Sequence, residues 1–153
     1  MGKLHKINPY DNKDMKYLED YDIALFISLK SALSMPREEY IKEKEAKVSD
    51  RDYYYTLKSE KIENFYIVEK EKDLKNAKIY PKLKEARKDE INMLAEILKY
   101  TDDMKEVLVS MKEDNRLEKE LVDMGFERLG DGVLLKETET DNIDIKERSV
   151  SWK

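Results

Sequence analysis

The spacing of apolar residues along this chain switches from helical to strand period and back, which restricts the fold to one that mixes both elements. From Met15 to Leu33 apolar side chains recur at Met15, Leu18, Tyr21 or Ile23, Phe26 and Leu29, the rhythm of a helix, with a break expected near Asp20. Near Tyr53 the period falls to two. Tyr53–Leu57 and Ile62–Val68 are rich in aromatic and β-branched residues, and Lys58-Ser59-Glu60-Lys61 between them predicts a hairpin. Alternation puts Ile62, Asn64, Tyr66 and Val68 on one face of the second strand and Glu63, Phe65 and Ile67 on the other. Leu74–Tyr80 follows as a third strand, and Pro81 is expected to end it, having no N–H for a continuing ladder. Helical spacing returns over Leu83–Tyr100, with Lys, Arg and Glu on the face opposite Leu83, Leu94, Ile97 and Leu98.

The remaining segments complete an alternating order. Leu4–Ile7 reads as a short first strand, after which Asp11 or Asn12 is placed to cap a helix. Pro36, Glu38 and Glu39 suit the first turn of a further helix that runs to about Val48. Val107–Met111 is a short buried strand, and Arg116–Met124 is a helix with Leu117, Leu121 and Met124 inward, stopped by Gly125. Phe126–Leu129, Gly130-Asp131-Gly132 and Val133–Lys136 form a second hairpin. Beyond it a polar stretch leads to Ile143-Asp144-Ile145 and Val150-Ser151-Trp152, an added edge strand. The order predicts one α/β domain over residues 1–138, with a C-terminal polar extension over 139–153.

Composition narrows the chemistry. The 153 residues contain no cysteine, one histidine (His5) and four glycines, none of them between positions 3 and 124. A disulfide framework, a thiol nucleophile, a histidine-based triad and a glycine-built phosphate loop are therefore all disfavoured. No metal site is expected, since Asp102-Asp103 and the acids after Glu137 lack the spacing and glycine of a calcium loop. The 35 acidic residues exceed the 30 basic ones, and both are interspersed, so no nucleic-acid partner is expected. The longest apolar run, Ile23–Leu29, is far below the roughly 20 residues of a membrane span. With no signal-like start in Met1–Asn8, a cytoplasmic location is the expectation.

Two phrases carry a family resemblance. Asn76-Ala77-Lys78-Ile79-Tyr80-Pro81 followed by an amphipathic helix, and Val107–Met111, Asn115, then Leu121-Val122-Asp123-Met124-Gly125-Phe126, resemble the GNAT (GCN5-related N-acetyltransferase) family. The resemblance implies a central twisted mixed sheet flanked by helices, with Leu74–Tyr80 and Val107–Met111 side by side at its centre and splaying apart beyond Tyr80. It also implies a loop after Pro81, of the type Arg/Gln-x-x-Gly-x-Gly/Ala, whose backbone N–H groups at a helix N-terminus cradle the pyrophosphate of acetyl-CoA.

This sequence departs from that pattern. The Arg/Gln position falls on Lys84, and the two small positions fall on Arg87 and Asp89. The tyrosine that often protonates the departing thiolate in the family is replaced by Leu121, which transfers no proton. The residues the resemblance leaves for a cofactor are Lys84, Arg87, Lys88 and Asn115, and Asn115 also reads as a helix cap. The expectation is a GNAT-like protein that binds no acetyl-CoA and acts by protein–protein binding; the alternative is an active N-acyltransferase with a divergent acetyl-CoA site. For a binder, the docking elements expected are the hairpin Tyr53–Val68, through an exposed aromatic face of Tyr53-Tyr54-Tyr55, and the edge Ile143–Trp152, with another protein or a second copy of the chain.

Overall fold

The structure, a computed structural model, describes residues 3–83, 88–112 and 115–137, with backbone alone for 88–91 and 115. Strand β1 (His5–Lys6) leads into α1 (Asn12–Tyr21), α2 (Ile23–Lys30), a 3-10 turn (Ser31–Ser34) and α3 (Arg37–Ala46). Asp11 caps α1 by accepting from the N–H groups of Lys13 and Asp14, and Asp22 caps α2 through the N–H of Leu25. The break expected near Asp20 thus falls at Asp22, whose extended backbone ends one helix while its carboxylate starts the next. Strands β2 (Ser49–Lys58), β3 (Lys61–Glu71) and β4 (Asn76–Lys82) follow, then α4 (Lys88–Lys99), β5 (Glu106–Ser110), α5 (Asn115–Asp123), β6 (Glu127–Gly130) and β7 (Val133–Glu137). The seven strands form one mixed sheet in the order β1-β2-β3-β4-β5-β7-β6, in which only β4 and β5 pair in parallel. The single α/β domain read from the sequence is the architecture found. The extension 139–153 and its edge strand lie outside the described residues.

Both sheet faces are buried over β2 and β3. On one face Tyr54, Tyr66, Val68, Ile79, Val109 and Leu134 pack with Leu94 and Ile97 of α4 and Leu117 and Leu121 of α5. On the other, Tyr55, Phe65 and Ile62 pack with Met15 and Leu18 of α1, with Leu25, Phe26 and Leu29 of α2 partly buried against them. Each fully buried side chain of this size contributes about 1.5–3 kcal/mol. The exposed aromatic face expected for Tyr53-Tyr54-Tyr55 is therefore not found: Tyr54 and Tyr55 are 5% and 1% exposed, one in each core. The Tyr55 hydroxyl donates to Asp14, which also accepts from the Asn8 N–H at 3.0 Å, so the buried carboxylate is satisfied.

Three local readings are corrected. Thr56 pairs with Asn64 but Leu57 pairs with Ile62, so Glu63 is the extra residue of a β-bulge. The bulge turns Ile62 away from Tyr66 and Val68 and into the core of Phe65. Strand β4 starts at Asn76 rather than Leu74, which is exposed in the turn before it. Pro81 does not end that strand: it is buried opposite Tyr66, and β4 runs to Lys82. Proline is tolerated there because the pairing to β5 has already stopped, leaving β4 an edge strand at that point.

Two ends are read correctly for physical reasons. Gly125, at a φ of 102°, closes α5 with its own N–H donating to Val122 and the Phe126 N–H donating to Leu121, a Schellman motif sealed by the apolar pair Phe126 and Leu121. The β2–β3 turn has just two central residues, Ser59 and Glu60, both at positive φ (53° and 62°). Neither is the glycine or asparagine such a turn prefers. Glu60→Gly is expected to raise stability by about 0.5–1 kcal/mol in urea unfolding by removing the left-handed penalty of a side chain; a loss of stability would mean that the turn has another geometry.

Candidate functional site

The parallel ladder between β4 and β5 is four residues long. It pairs Asn76 with Glu106 through to Ile79 with Val109 and then stops. Beyond that point β4 is held by β3 alone, from Ile67 against Tyr80 to Phe65 against Lys82. Strand β5 is held by β7, with the Met111 N–H donating to Gly132 at 2.9 Å. The two strands separate after Ile79, a residue earlier than the sequence leads one to expect, and leave a cleft of about 680 Å³. Tyr80, Pro81 and Leu83 line one side, and Ser110 and Met111 the other.

Two phenols line this cleft, and both are shifted upward. Tyr80 is pushed above the usual phenol range by burial, then by the nearby Glu69 carboxylate, to which its hydroxyl makes a long contact of 3.5 Å. Glu69 is also the partner of Arg51. Tyr21, at the cleft mouth, is likewise raised, by burial first and then by Asp22. Glu63 reaches the cleft wall as the bulged residue of β3 and lies 3.6 Å from the Lys58 ammonium. His5 stacks on Tyr55 at the sheet edge, three strand positions from β4, and is remote from the cleft.

Two of the four residues singled out from the sequence fall within the described backbone. Lys84 and Arg87 lie outside the described residues. Lys88 lies in α4 and Asn115 in α5, both described by backbone alone. Of the two loop positions that the GNAT pattern keeps small, Arg87 lies outside the described residues and Asp89 lies in α4. Leu121 is fully buried between α5 and the sheet rather than in the cleft wall.

Sequence reasoning missed Glu63 and Ser110 as cleft residues. Strict alternation assigns Glu63 to the face of Phe65, and only the bulge, which leaves no mark in the residue pattern, moves it. Among the described residues no group of His, Asp and Glu is arranged to hold a metal ion, and no helix is long and apolar enough to cross a membrane.

No protein-family model matches the sequence, and no curated protein matches it. Solved structures do match. The crystal structure of Tetrahymena GCN5 is similar over 91% of this chain and 96% of its own, at 14% identity and a TM-score of 0.52. The Escherichia coli putative N-acetyltransferase YhhK, solved bound to coenzyme A, is similar over 90% and 98%, at 12% identity and a TM-score of 0.51. The spermidine/spermine N-acetyltransferase SpeG of Vibrio cholerae, in mutant forms, is similar over 89% and 92%, at 10% identity and a TM-score of 0.56. At these identities the likeness is one of fold, and it joins the strand order and the splayed central pair already described: the chain has the GNAT fold.

Proposed function

We propose that this GNAT-fold chain transfers no acetyl group and acts by binding another protein. The observation that carries the reading lies in the sequence: Arg87 and Asp89 stand at the two positions where the GNAT loop needs small residues, and none of the four glycines falls between positions 3 and 124. A pyrophosphate brought to such a loop meets side chains, one of them a carboxylate, in place of the bare backbone that glycines would offer. Leu121 adds weight, since its position supplies core packing and no proton. Of the two docking elements expected, the hairpin gives Tyr54 and Tyr55 to the cores and keeps only Tyr53 half-buried, while Ile143–Trp152 lies outside the described residues. The hairpin's remaining outward groups are charged, with Arg51, Lys58 and Lys61 among them.

A second reading is favoured by the cleft itself. An opening of about 680 Å³ between two unpaired strand edges suits an extended chain such as the pantetheine arm of acetyl-CoA. In that reading Lys84, Arg87 and Lys88 neutralise the phosphates through side chains, and the chain is an N-acyltransferase with a divergent cofactor site.

Calorimetric titration with acetyl-CoA separates the two. We expect binding no tighter than about 1 mM, worth about 4 kcal/mol. Micromolar binding that Lys84→Ala or Arg87→Ala abolishes would establish the second reading.

Restoring a tyrosine tests the placement of Leu121. Leu121→Tyr overfills a closed core, so urea unfolding is expected to show a loss of about 1–3 kcal/mol. Unchanged stability would mean that the position opens onto a cavity.

A further inference from the structure

Helix α2 is built in a way that a lone chain does not require. Six of its eight residues are apolar (Ile23, Ala24, Leu25, Phe26, Ile27 and Leu29), yet none is buried. Leu25, Phe26 and Leu29 turn toward the sheet and are partly covered. The opposite stripe, Ile23, Ala24, Ile27 and Ser28, faces outward and carries no charge, and Ile23 and Ile27 are 54% and 62% exposed. An outward helix face normally carries Lys and Glu, as α3 does with Arg37, Glu38, Lys42 and Glu45. A clustered apolar face of this kind marks an interaction site.

We infer that this stripe is the contact surface between two copies of the chain, packed with their α2 helices antiparallel across a twofold axis. The surface complements itself. Ile23 and Ile27 form a ridge at four-residue spacing, and Ala24 and Ser28 form the shallow row beside it. A twofold axis near the middle of the helix sets Ile27 of each copy against Ala24 of the other and Ile23 against Ser28, ridge into groove on both sides. The charges agree with this direction and oppose the parallel one. Lys30 closes α2, where its ammonium lies 5.7 Å from the Phe26 ring centre, while Glu19, Asp20 and Asp22 cluster just before its start. Antiparallel packing brings each Lys30 to the acidic end of the other copy; parallel packing sets acid against acid.

The helix is about 12 Å long, too short alone to cover the roughly 800 Å² per partner of a tight complex. The dimer is accordingly a weak one, with a dissociation constant of roughly 10 µM to 1 mM. The inference concerns a different surface from the cleft and holds whether or not the cleft takes a cofactor.

Sedimentation equilibrium of the full chain from about 10 µM to 1 mM tests it. The average mass is expected to rise toward that of a dimer across this range. Ile27→Glu, on an exposed position, should leave the circular dichroism unchanged and weaken dimerisation at least tenfold. Ala24→Arg, which fills the groove, asks the same question should the first variant fail to fold. Lys30→Glu should weaken the dimer several-fold, and adding Asp20→Lys should restore it. A chain that stays monomeric throughout overturns the inference. So does self-association that Ile27→Glu and Ala24→Arg leave intact, or a charge reversal at Lys30 that Asp20→Lys fails to rescue.

Discussion

The rest of this structure depends on a parallel strand pair that is allowed to form for only four residues. Strands β4 and β5 pair from Asn76 with Glu106 to Ile79 with Val109, and each is then drawn away by its outer neighbour. Strand β3 holds β4 as far as Lys82, and β7 holds β5 through the Met111 N–H. Pro81 removes one donor at the point where β4 would otherwise keep pairing, so a continuing ladder would carry a gap. The sheet therefore opens as two antiparallel halves joined at one end. The cleft and the unpaired strand edges that line it follow from that opening.

Cores cover both faces of β2 and β3, and the one that contains Tyr54 also reaches Val109 of β5 and Leu134 of β7, across the two halves. The run Tyr53-Tyr54-Tyr55 shows how: adjacent tyrosines point to opposite faces, and Tyr54 and Tyr55 each enter a different core. Tyr54 stacks on Tyr100 with ring centres 5.6 Å apart, and Tyr55 stacks on His5 at 5.1 Å. Burial pushes both phenols well above their ordinary range, and the contact with Asp14 adds to the shift at Tyr55. What reads in the sequence as a sticky surface is a bolt through the middle of the sheet.

Element order was legible because the switch between two-residue and helical spacing survives in spite of the heavy charge content, and because Gly125 occupies the one place where α5 can close. The errors share a cause: pattern reading assumes an unbroken ladder. A bulge at Glu63 reverses the face of Ile62 with no signal in residue type, and Pro81 reads as a stop unless the edge beside it is known to be free. The tyrosine run was misjudged because alternation tells which side chains share a face and not whether helices cover both faces. The site was half legible. The missing glycines could be counted from the sequence, whereas the bulge that brings Glu63 to the cleft wall required the structure.

The outcome is a GNAT fold with an opening between its central strands, and the claim proposed for it is that no acetyl group is transferred there. The most direct test of that claim is release of free thiol from acetyl-CoA, followed with a thiol reagent while the full chain is offered a mixture of primary amines and lysine-containing peptides; the chain has no cysteine to interfere. The account predicts a rate that does not exceed spontaneous hydrolysis at any protein concentration. Release proportional to protein, and lost in Lys84→Ala and Arg87→Ala, would contradict it.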